Sequence, residues 1–363
     1  MSLLASLKGR LSLPAIGSPL FIISVPDLVV AQCTSGIIGS MPSLNARPAE
    51  QFEEWVLEIQ ERLAKHDAQH PDRPAAPFAI NLIVHKSNDR LEQDLAVCVK
   101  HKVPIIITSL GARPEVCQAV HGYGGYVLHD VINQTFAHKA VEKGADGLIL
   151  VAAGAGGHAG AISPFALMQE TRAWFDGPIA LSGSIAGGNS ILAAEAMGAD
   201  FAYIGSAFIA THEARAIEEH KQMIVDCSAQ DIIYTNLISG VHGNYLKPTL
   251  KRAGLDPDNL PTEGGLADEF RHRPQQAALE GYLGLRPRHR RGEGSGAGAR
   301  PGCPLPARIP RGTGAPRRRQ CAAEPGLGKA ARSRGRIGQG AGVSLYPGLT
   351  GTGRAWSPRQ SIA

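Results

Sequence analysis

Between residues 13 and 206 the chain repeats one pattern eight times. Short runs rich in Val, Ile and Leu occur as "LPAI" (13–16), "GIIGSM" (36–41), "FAINLIV" (78–84), "VPIIITS" (103–109), "YVLHDV" (126–131), "DGLILVA" (146–152), "PIALSG" (178–183) and "DFAYIGS" (200–206). Near-continuous apolar runs of this length fit parallel strands buried on both faces. The segments between them carry helical patterning, as in "PAEQFEEWVLEIQERLAKH" and "GNSILAAEAMGA", and several end on a glycine before the next strand, such as Gly144 and Gly198. Eight strand–helix units in this span is the count of a closed (β/α)8 TIM barrel. An open doubly wound sheet satisfies the same pattern, although no G-x-G-x-x-G follows the first strand.

In a barrel of this kind, function sits at the C-terminal ends of the strands. The sixth run leads into "ILVAAGAGGHAGAISPF" (149–165), where His158 stands alone among glycine and alanine. A flexible loop with an incidental histidine would look the same. Its place after the sixth strand instead puts His158 at the barrel mouth, where small neighbours leave room for a flat ligand. The seventh run leads into "LSGSIAGGNSILAAEAMGA", with Ser182, Gly183 and Ser184 at the turn and a helix expected from about Asn189. The eighth leads into "IGSAFIAT", with Gly205 and Ser206 at the turn. Glycine lets backbone N–H groups approach an anion, and a helix N-terminus adds its positive dipole end. The loops after the last two strands are the usual phosphate site of this barrel.

"GAGGHAGAISPFAL", "ALSGSIAGG" and "AYIGSAFIAT" together resemble the nitronate monooxygenases, also called 2-nitropropane dioxygenases. "LPAIGSPLF" and "AINLIV" fit the same pattern, so the resemblance spans roughly residues 10–260. The resemblance implies an FMN-dependent barrel enzyme that converts an alkyl nitronate or nitroalkane, with O2, into a carbonyl compound and nitrite. It implies that His158 lies over the flavin as base or substrate-positioning group. By the same resemblance Gly183, Ser184, Gly205 and Ser206 hold the FMN phosphate, with Ser182 also cofactor-binding, while Asn81, Gly156 and the segment Ile16, Gly17, Ser18 lie near the flavin. Where some relatives place a lysine after strand five, this chain has "LHDV", so backbone donors or His129 would have to serve the phosphate there. The flavin-dependent enoyl reductases, which use NAD(P)H, share the histidine loop and are the alternative reading.

Other candidates point elsewhere. His85, His121, His212 and His242 have no partners at metal spacing, and no metal site is expected. The loop 235–248, "TNLISGVHGNYLKP", resembles a family segment near the mouth but reads from its residues as a loop with turn signals. Lys86, Asn88 and Arg90 read as a solvated loop, and Cys33 as a packing residue. Six scattered cysteines without C-x-x-C read as reduced. In the apolar N-terminus, Pro14, Gly17, Pro19, Pro26 and Asp27 interrupt any run that could span a membrane, so a buried strand with a loop is expected there, in a cytoplasmic protein.

The remainder is a different material. Residues 1–270 carry a net charge of −10, residues 271–363 one of +15, with 18 Gly and 10 Pro in the latter. Two domains are therefore expected: a barrel over 1–262 and an Arg/Gly/Pro-rich tail over 263–363, disordered by composition. A nucleic-acid-binding arm is the functional reading of such a tail, but interleaved aromatics are missing. A frameshift accounts for it better. Codons for "LEGYLGLRPRHRR" (279–291) can be chosen so that reading one nucleotide later gives WKDIWGSGQGIGA, and "GEGSGAGA" then allows VKEVVPVP. That string resembles the family's C-terminal segment. The expected partners are a small nitronate or nitroalkane and O2, without nucleic acid or membrane; a homodimer is compatible with the sequence.

Overall fold

A computed structural model describes residues 3–238 and 240–260 of the chain. Its eleven strands are β1 (Ala15–Gly17), β2 (Gly39–Pro42), β3 (Phe78–Ile83), β4 (Ile105–Ser109), β5 (Tyr126–Val131), β6 (Gly147–Val151), β7 (Gly157–His158), β8 (Ile179–Ser182), β9 (Phe201–Ile204), β10 (Ile232–Thr235) and β11 (Gly243–Leu246). Eight of them pair in parallel in the order β1-β9-β8-β6-β5-β4-β3-β2. The two ends of that order meet. Gly17 N–H donates to the Ile38 carbonyl at 2.8 Å and Ile38 N–H to that of Ala15 at 3.0 Å, so β1 joins the segment entering β2. The sheet is a closed (β/α)8 barrel, and the open-sheet alternative falls. β7, β10 and β11 form a separate three-stranded antiparallel sheet.

The barrel strands bury alternate residues on opposite faces, as the pleat requires. Ile16, Ile38, Ala79, Ile105, Ile107, Leu128, Ile149, Ala180, Phe201 and Tyr203 form one interior cluster. Their outward neighbours pack under the helices. Ile80, Ile106 and Val127 meet Phe52, Val56 and Ile59 of helix Gln51–Gln69, which line one side of it at i, i+4 and i+7. Leu148, Leu150 and Leu181 meet Leu167, Met168 and Ile191 of later helices. Gly144 (φ +99°) and Gly198 (φ +98°) take the left-handed conformation that ends a helix without a Cβ penalty.

Three expectations need adjusting. The N-terminus is not only strand and loop: Leu3–Ser6 form a helical turn, and Leu3 and Leu7 are buried with the barrel interior. Burying an apolar side chain of this size contributes about 1.5–3 kcal/mol, which no solvated loop would supply. The first strand begins later than "LPAI", since Leu13 is half exposed and Pro14 has no N–H for the ladder. Arg90 is not solvated. Its guanidinium donates to the carbonyls of Ala46 at 2.8 Å and Ser43 at 3.5 Å and pairs with buried Asp94 at 3.0 Å, while Asn88 Nδ2 donates to the Ile83 carbonyl at 2.7 Å. Cys33 is fully buried, and loss of hydration pushes its thiol up to about 12, as suits a packing residue. Cys33, Cys98, Cys117 and Cys227 are free thiols, and among the described residues no helix is long and apolar enough to cross a membrane. The proposed boundary at 262/263 and the tail lie outside the described residues.

Candidate active site at the barrel mouth

Toward the C-terminal ends of the strands, the interior changes from apolar to polar. Ser40, Asn81, Ser109, Asp130, Ser182 and Tyr203 continue the inward-facing rows begun by Ile38, Ala79, Ile107, Leu128, Ala180 and Phe201. Asn81 is buried; its Nδ2 donates to Ser109 Oγ at 2.7 Å and to the Ile107 carbonyl at 3.2 Å. Asp130 stands one residue beyond the Thr108–His129 pair, beside Ser109. Burial outweighs the help of its polar neighbours Ser109 and the Leu110 backbone and pushes the Asp130 carboxyl up to about 6. Burial also drives Tyr203 well above the usual phenol range, with the Asp130 charge adding to it.

His129, one residue away, faces outward. It is buried beside Thr108 Oγ1 (2.7 Å from Nδ1), and desolvation, helped by the Lys143 charge, lowers it to about 4. A neutral imidazole on the helix side of β5 cannot serve an anion at the mouth, so His129 drops out of that role.

His158 sits on a built support rather than a free loop. Gly157 and His158 form β7, which pairs antiparallel with β11: Gly243 faces His158 and Asn244 faces Gly157. Ala159 N–H donates to the His242 carbonyl at 3.2 Å, Tyr234 Oη donates to the Ala159 carbonyl at 3.0 Å, and Asn244 Nδ2 donates to that of Ala155 at 2.7 Å. The segment 235–248 is thus in part the loop with turns that its residues suggest, over 236–238 and 240–242, but it also carries β11 (Gly243–Leu246), the second strand of a hairpin with β10. His242 stacks on Tyr234 at 5.2 Å between centroids. The register leaves no room for a side chain at Gly243, where a Cβ would lie 2.7 Å from the Gly157 carbonyl oxygen. His158 is reached by solvent, yet the protein around it removes enough hydration to lower its pKa below that of a free imidazole.

The glycine-rich loops converge on the loop that carries this histidine. Ser184, at φ +55°, donates its N–H to the Gly154 carbonyl at 3.0 Å, tying the seventh loop to the histidine loop. A Cβ on Gly183 would stand 2.7 Å from the Ala153 carbonyl oxygen, one on Gly156 2.7 Å from Ser206 Oγ, and one on Gly205 2.7 Å from Ser18 Oγ. Ser18 N–H donates to the Ile204 carbonyl at 2.8 Å. Gly17, Ser18, Gly156, Ser182, Gly183, Ser184, Gly205 and Ser206 thus occupy one continuous frame around half of the mouth, with Asn81 in its floor. Ile16 differs: its side chain is fully buried in the apolar layer beneath, so only its backbone reaches this level. The Ser184 N–H is already spent on Gly154. The open donors nearby belong to the exposed start of helix Gly188–Ala196, where Gly188 and Asn189 lead the chain into the first turn. The remaining histidines of the sequence reading are surface or structural: His85 bonds Ser87 at 2.8 Å, His121 pairs with Asp146 at 2.9 Å, and His212 is exposed. Among the described residues no His, Cys, Asp or Glu cluster could hold a metal.

The fold and mouth define a (β/α)8-barrel enzyme with a glycine-framed histidine on its C-terminal face. A family profile described as nitronate monooxygenase matches residues 22–250, and the chain belongs to the nitronate monooxygenase family, a family of oxidoreductases. A Bacillus subtilis protein named as a probable nitronate monooxygenase is 33% identical over 64% of this chain and 76% of its own. A Mycobacterium tuberculosis relative described as a monooxygenase is 25% identical over 54% of each chain, so the match spans about half of it. Among solved structures, FabK from Thermotoga maritima superposes with a TM-score of 0.61 at 22% identity, over 77% of this chain and 81% of that one. A nitroalkane oxidase from Streptomyces ansochromogenes gives the same TM-score and identity over 77% and 90%.

Proposed function

We propose that the protein is an FMN-dependent nitronate monooxygenase, converting alkyl nitronates or nitroalkanes with O2 into carbonyl compounds and nitrite. The observation that carries this reading is His158: an imidazole held by the β7–β11 pairing beside a frame of small residues with a polar floor. The frame fits a flat, phosphate-bearing cofactor. Cβ atoms at Gly156, Gly183 and Gly205 would intrude on neighbouring loops there, and the first turn of helix Gly188–Ala196 supplies backbone donors for an anion. In this reading Gly183, Ser184, Gly205, Ser206 and that helix start hold the phosphate end, while Gly17, Ser18, Asn81 and Gly156 bound the ring. FMN, when bound, supplies the redox chemistry. His158 takes the α-proton of a neutral nitroalkane, or accepts and orients a nitronate already formed.

The test is nitrite release by purified holoprotein in air without NAD(P)H, followed through His158→Asn. The variant should keep its flavin spectrum and lose on the order of 10²–10⁴-fold in turnover of neutral nitroalkanes. Preformed nitronates should lose less; equal losses on both would make His158 a substrate-orienting group rather than a base. A second reading, an NAD(P)H-dependent enoyl reductase on the same scaffold, rests on the histidine loop that this chain shares in sequence with the flavin-dependent enoyl reductases. Rapid flavin reduction by NAD(P)H, without nitrite release from any nitronate, would decide for it.

A further inference from the structure

Ile22, in the loop after β1, has a backbone φ of +57° although its side chain is buried. A β-branched residue enters the left-handed region only when its surroundings impose it. Two features of the surroundings do so. Ile22 and Ile23 both enter one apolar cluster with Leu28 and Ala214, which consecutive residues of an extended segment cannot do from one face. The turn this requires is caged by a single side chain, Asn45, in the short turn Ser43–Asn45 that follows β2. Its Oδ1 accepts the Ile22 N–H at 2.6 Å, and its Nδ2 donates to the carbonyls of Leu20 at 2.9 Å and Ser24 at 2.8 Å. One N–H and two carbonyls fix which way the buried amide points, since a flipped amide would set donor against donor. Arg215 adds two bonds, from its N–H to the Ile23 carbonyl at 3.0 Å and from Nε to that of Ile22 at 2.9 Å.

The caged segment begins two residues beyond Ser18, and the residue between, Pro19, has its φ fixed by its ring. Ser18 and Leu20 both meet the loop after β9: a Cβ on Gly205 would lie 2.7 Å from Ser18 Oγ and 3.4 Å from Leu20 Cδ2. Asn45 therefore grips, by its carbonyl, the same leucine whose side chain borders Gly205. The ends of three neighbouring strands, β9, β1 and β2, are joined in this way.

We propose that Asn45 is a positioning residue for the cofactor: by holding the loop 20–24 it sets Ser18 and Leu20 against Gly205, so that this wall of the flavin frame stands before the flavin binds. The inference rests on the FMN reading above. A wall that keeps its binding shape for only part of the time weakens binding in proportion, so the loss of Asn45 should appear in flavin affinity.

Titration of FMN into the flavin-free full chain tests this, comparing wild type with Asn45→Asp, Asn45→Ala and Ile59→Ala. Hydrogen exchange of the same proteins is read before flavin is added. Each Kd is taken as a ratio to wild type at the same pH, so that titration of the FMN phosphate drops out. Asn45→Asp keeps the size of the side chain. Protonated, the new carboxyl can accept the Ile22 N–H and donate to one carbonyl; ionised, it sets its charge against the Leu20 and Ser24 carbonyls. Burial keeps it protonated at about pH 5, where the ratio should stay close to unity. By about pH 8 the ratio should climb about tenfold. Arg47, Arg90, Asp94 and Arg215, the charged groups around the loop, are the same in both proteins. Asn45→Ala should weaken FMN about tenfold at every pH. Ile59→Ala, which opens a cavity under helix Gln51–Gln69 and lowers the melting temperature, should leave the ratio close to unity. Residues 19–25 should exchange faster in Asn45→Ala, and in Asn45→Asp at the higher pH, while that helix does not. Ratios close to unity in both Asn45 variants overturn the proposal, as does an Asn45→Asp ratio that ignores pH. So does an Ile59→Ala ratio as large as that of Asn45→Ala, which would make the effect general loosening. Should Asn45→Ala fail to fold, the two pH values of Asn45→Asp decide. A wild type that binds no FMN would overturn the FMN reading instead, and the exchange data would still support or overturn the hold of Asn45 on its loop.

Discussion

His129 and Asp130 are neighbours on β5 that face opposite ways, and they pull stability in opposite directions over the same pH range. His129 falls from 6.5 to about 4 on burial, so the unfolded chain takes up its proton first as pH drops. Its contribution to stability is intact above about 6.5 and is lost as pH falls toward 4. Asp130 rises from 3.8 to about 6, so the folded chain holds its proton longer as pH climbs. Its contribution is intact below 3.8 and is lost as pH rises through 6. Each effect is worth at most about 3 kcal/mol by the usual 1.36 kcal/mol per pH unit. Between pH 4 and 6 the two largely cancel in the wild type. Urea unfolding, read as a difference from wild type so that common groups drop out, should separate them. His129→Gln should make stability fall more steeply with rising pH, and Asp130→Asn should make it climb and leave the protein more stable at neutral pH. Slopes of the same sign in both variants would refute the burial of one of the two groups.

At the level of elements, the hairpin β10–β11 is the least expected part and carries the most local consequence. It holds the histidine loop by backbone pairing from residues some 85 positions away in sequence. Gly243→Ala puts a methyl group 2.7 Å from the Gly157 carbonyl oxygen, closer than carbon and oxygen tolerate. β7 must then separate from β11. The barrel, whose strands are complete by Ile204, should stay folded by circular dichroism while kcat/KM falls at least tenfold for nitroalkanes. Unchanged activity would show that the pairing does not set the position of His158. The contrast with the barrel explains what could be read beforehand. Parallel strands covered on both faces need unbroken apolar runs, so all eight stood out, as did the glycine-rich turns that follow the sixth, seventh and eighth. "IIYT" and "GNYL" are short, half-exposed and polar on one face, and their partner is a two-residue strand of glycine and histidine. Backbone pairing of that kind leaves no side-chain pattern.

For the molecule as a whole, the sequence changes character just after its matched region. The family profile ends at residue 250, and the acidic balance of residues 1–270 gives way to a net charge of +15 over 271–363. The barrel's eight strands are complete by Ile204, well before this change of composition. We therefore hold the frameshift as the proposal for residues beyond about 263. It makes a prediction independent of any structure: in the gene, the reading frame one nucleotide later than Leu279 should spell tryptophan and lysine, and continue through the Gly-Gln-Gly stretch. Restoring that frame should raise the flavin bound per chain and nitrite release together, because the restored segment resembles the family's own C-terminal part. Absorbance of the two purified chains at equal protein concentration measures the first directly. If the shifted frame does not encode those two residues, the tail is translated as it evolved. Its 18 basic residues would then call for an anionic partner, and nucleic-acid binding that weakens with salt and vanishes on deleting 271–363 would be the measurement to make.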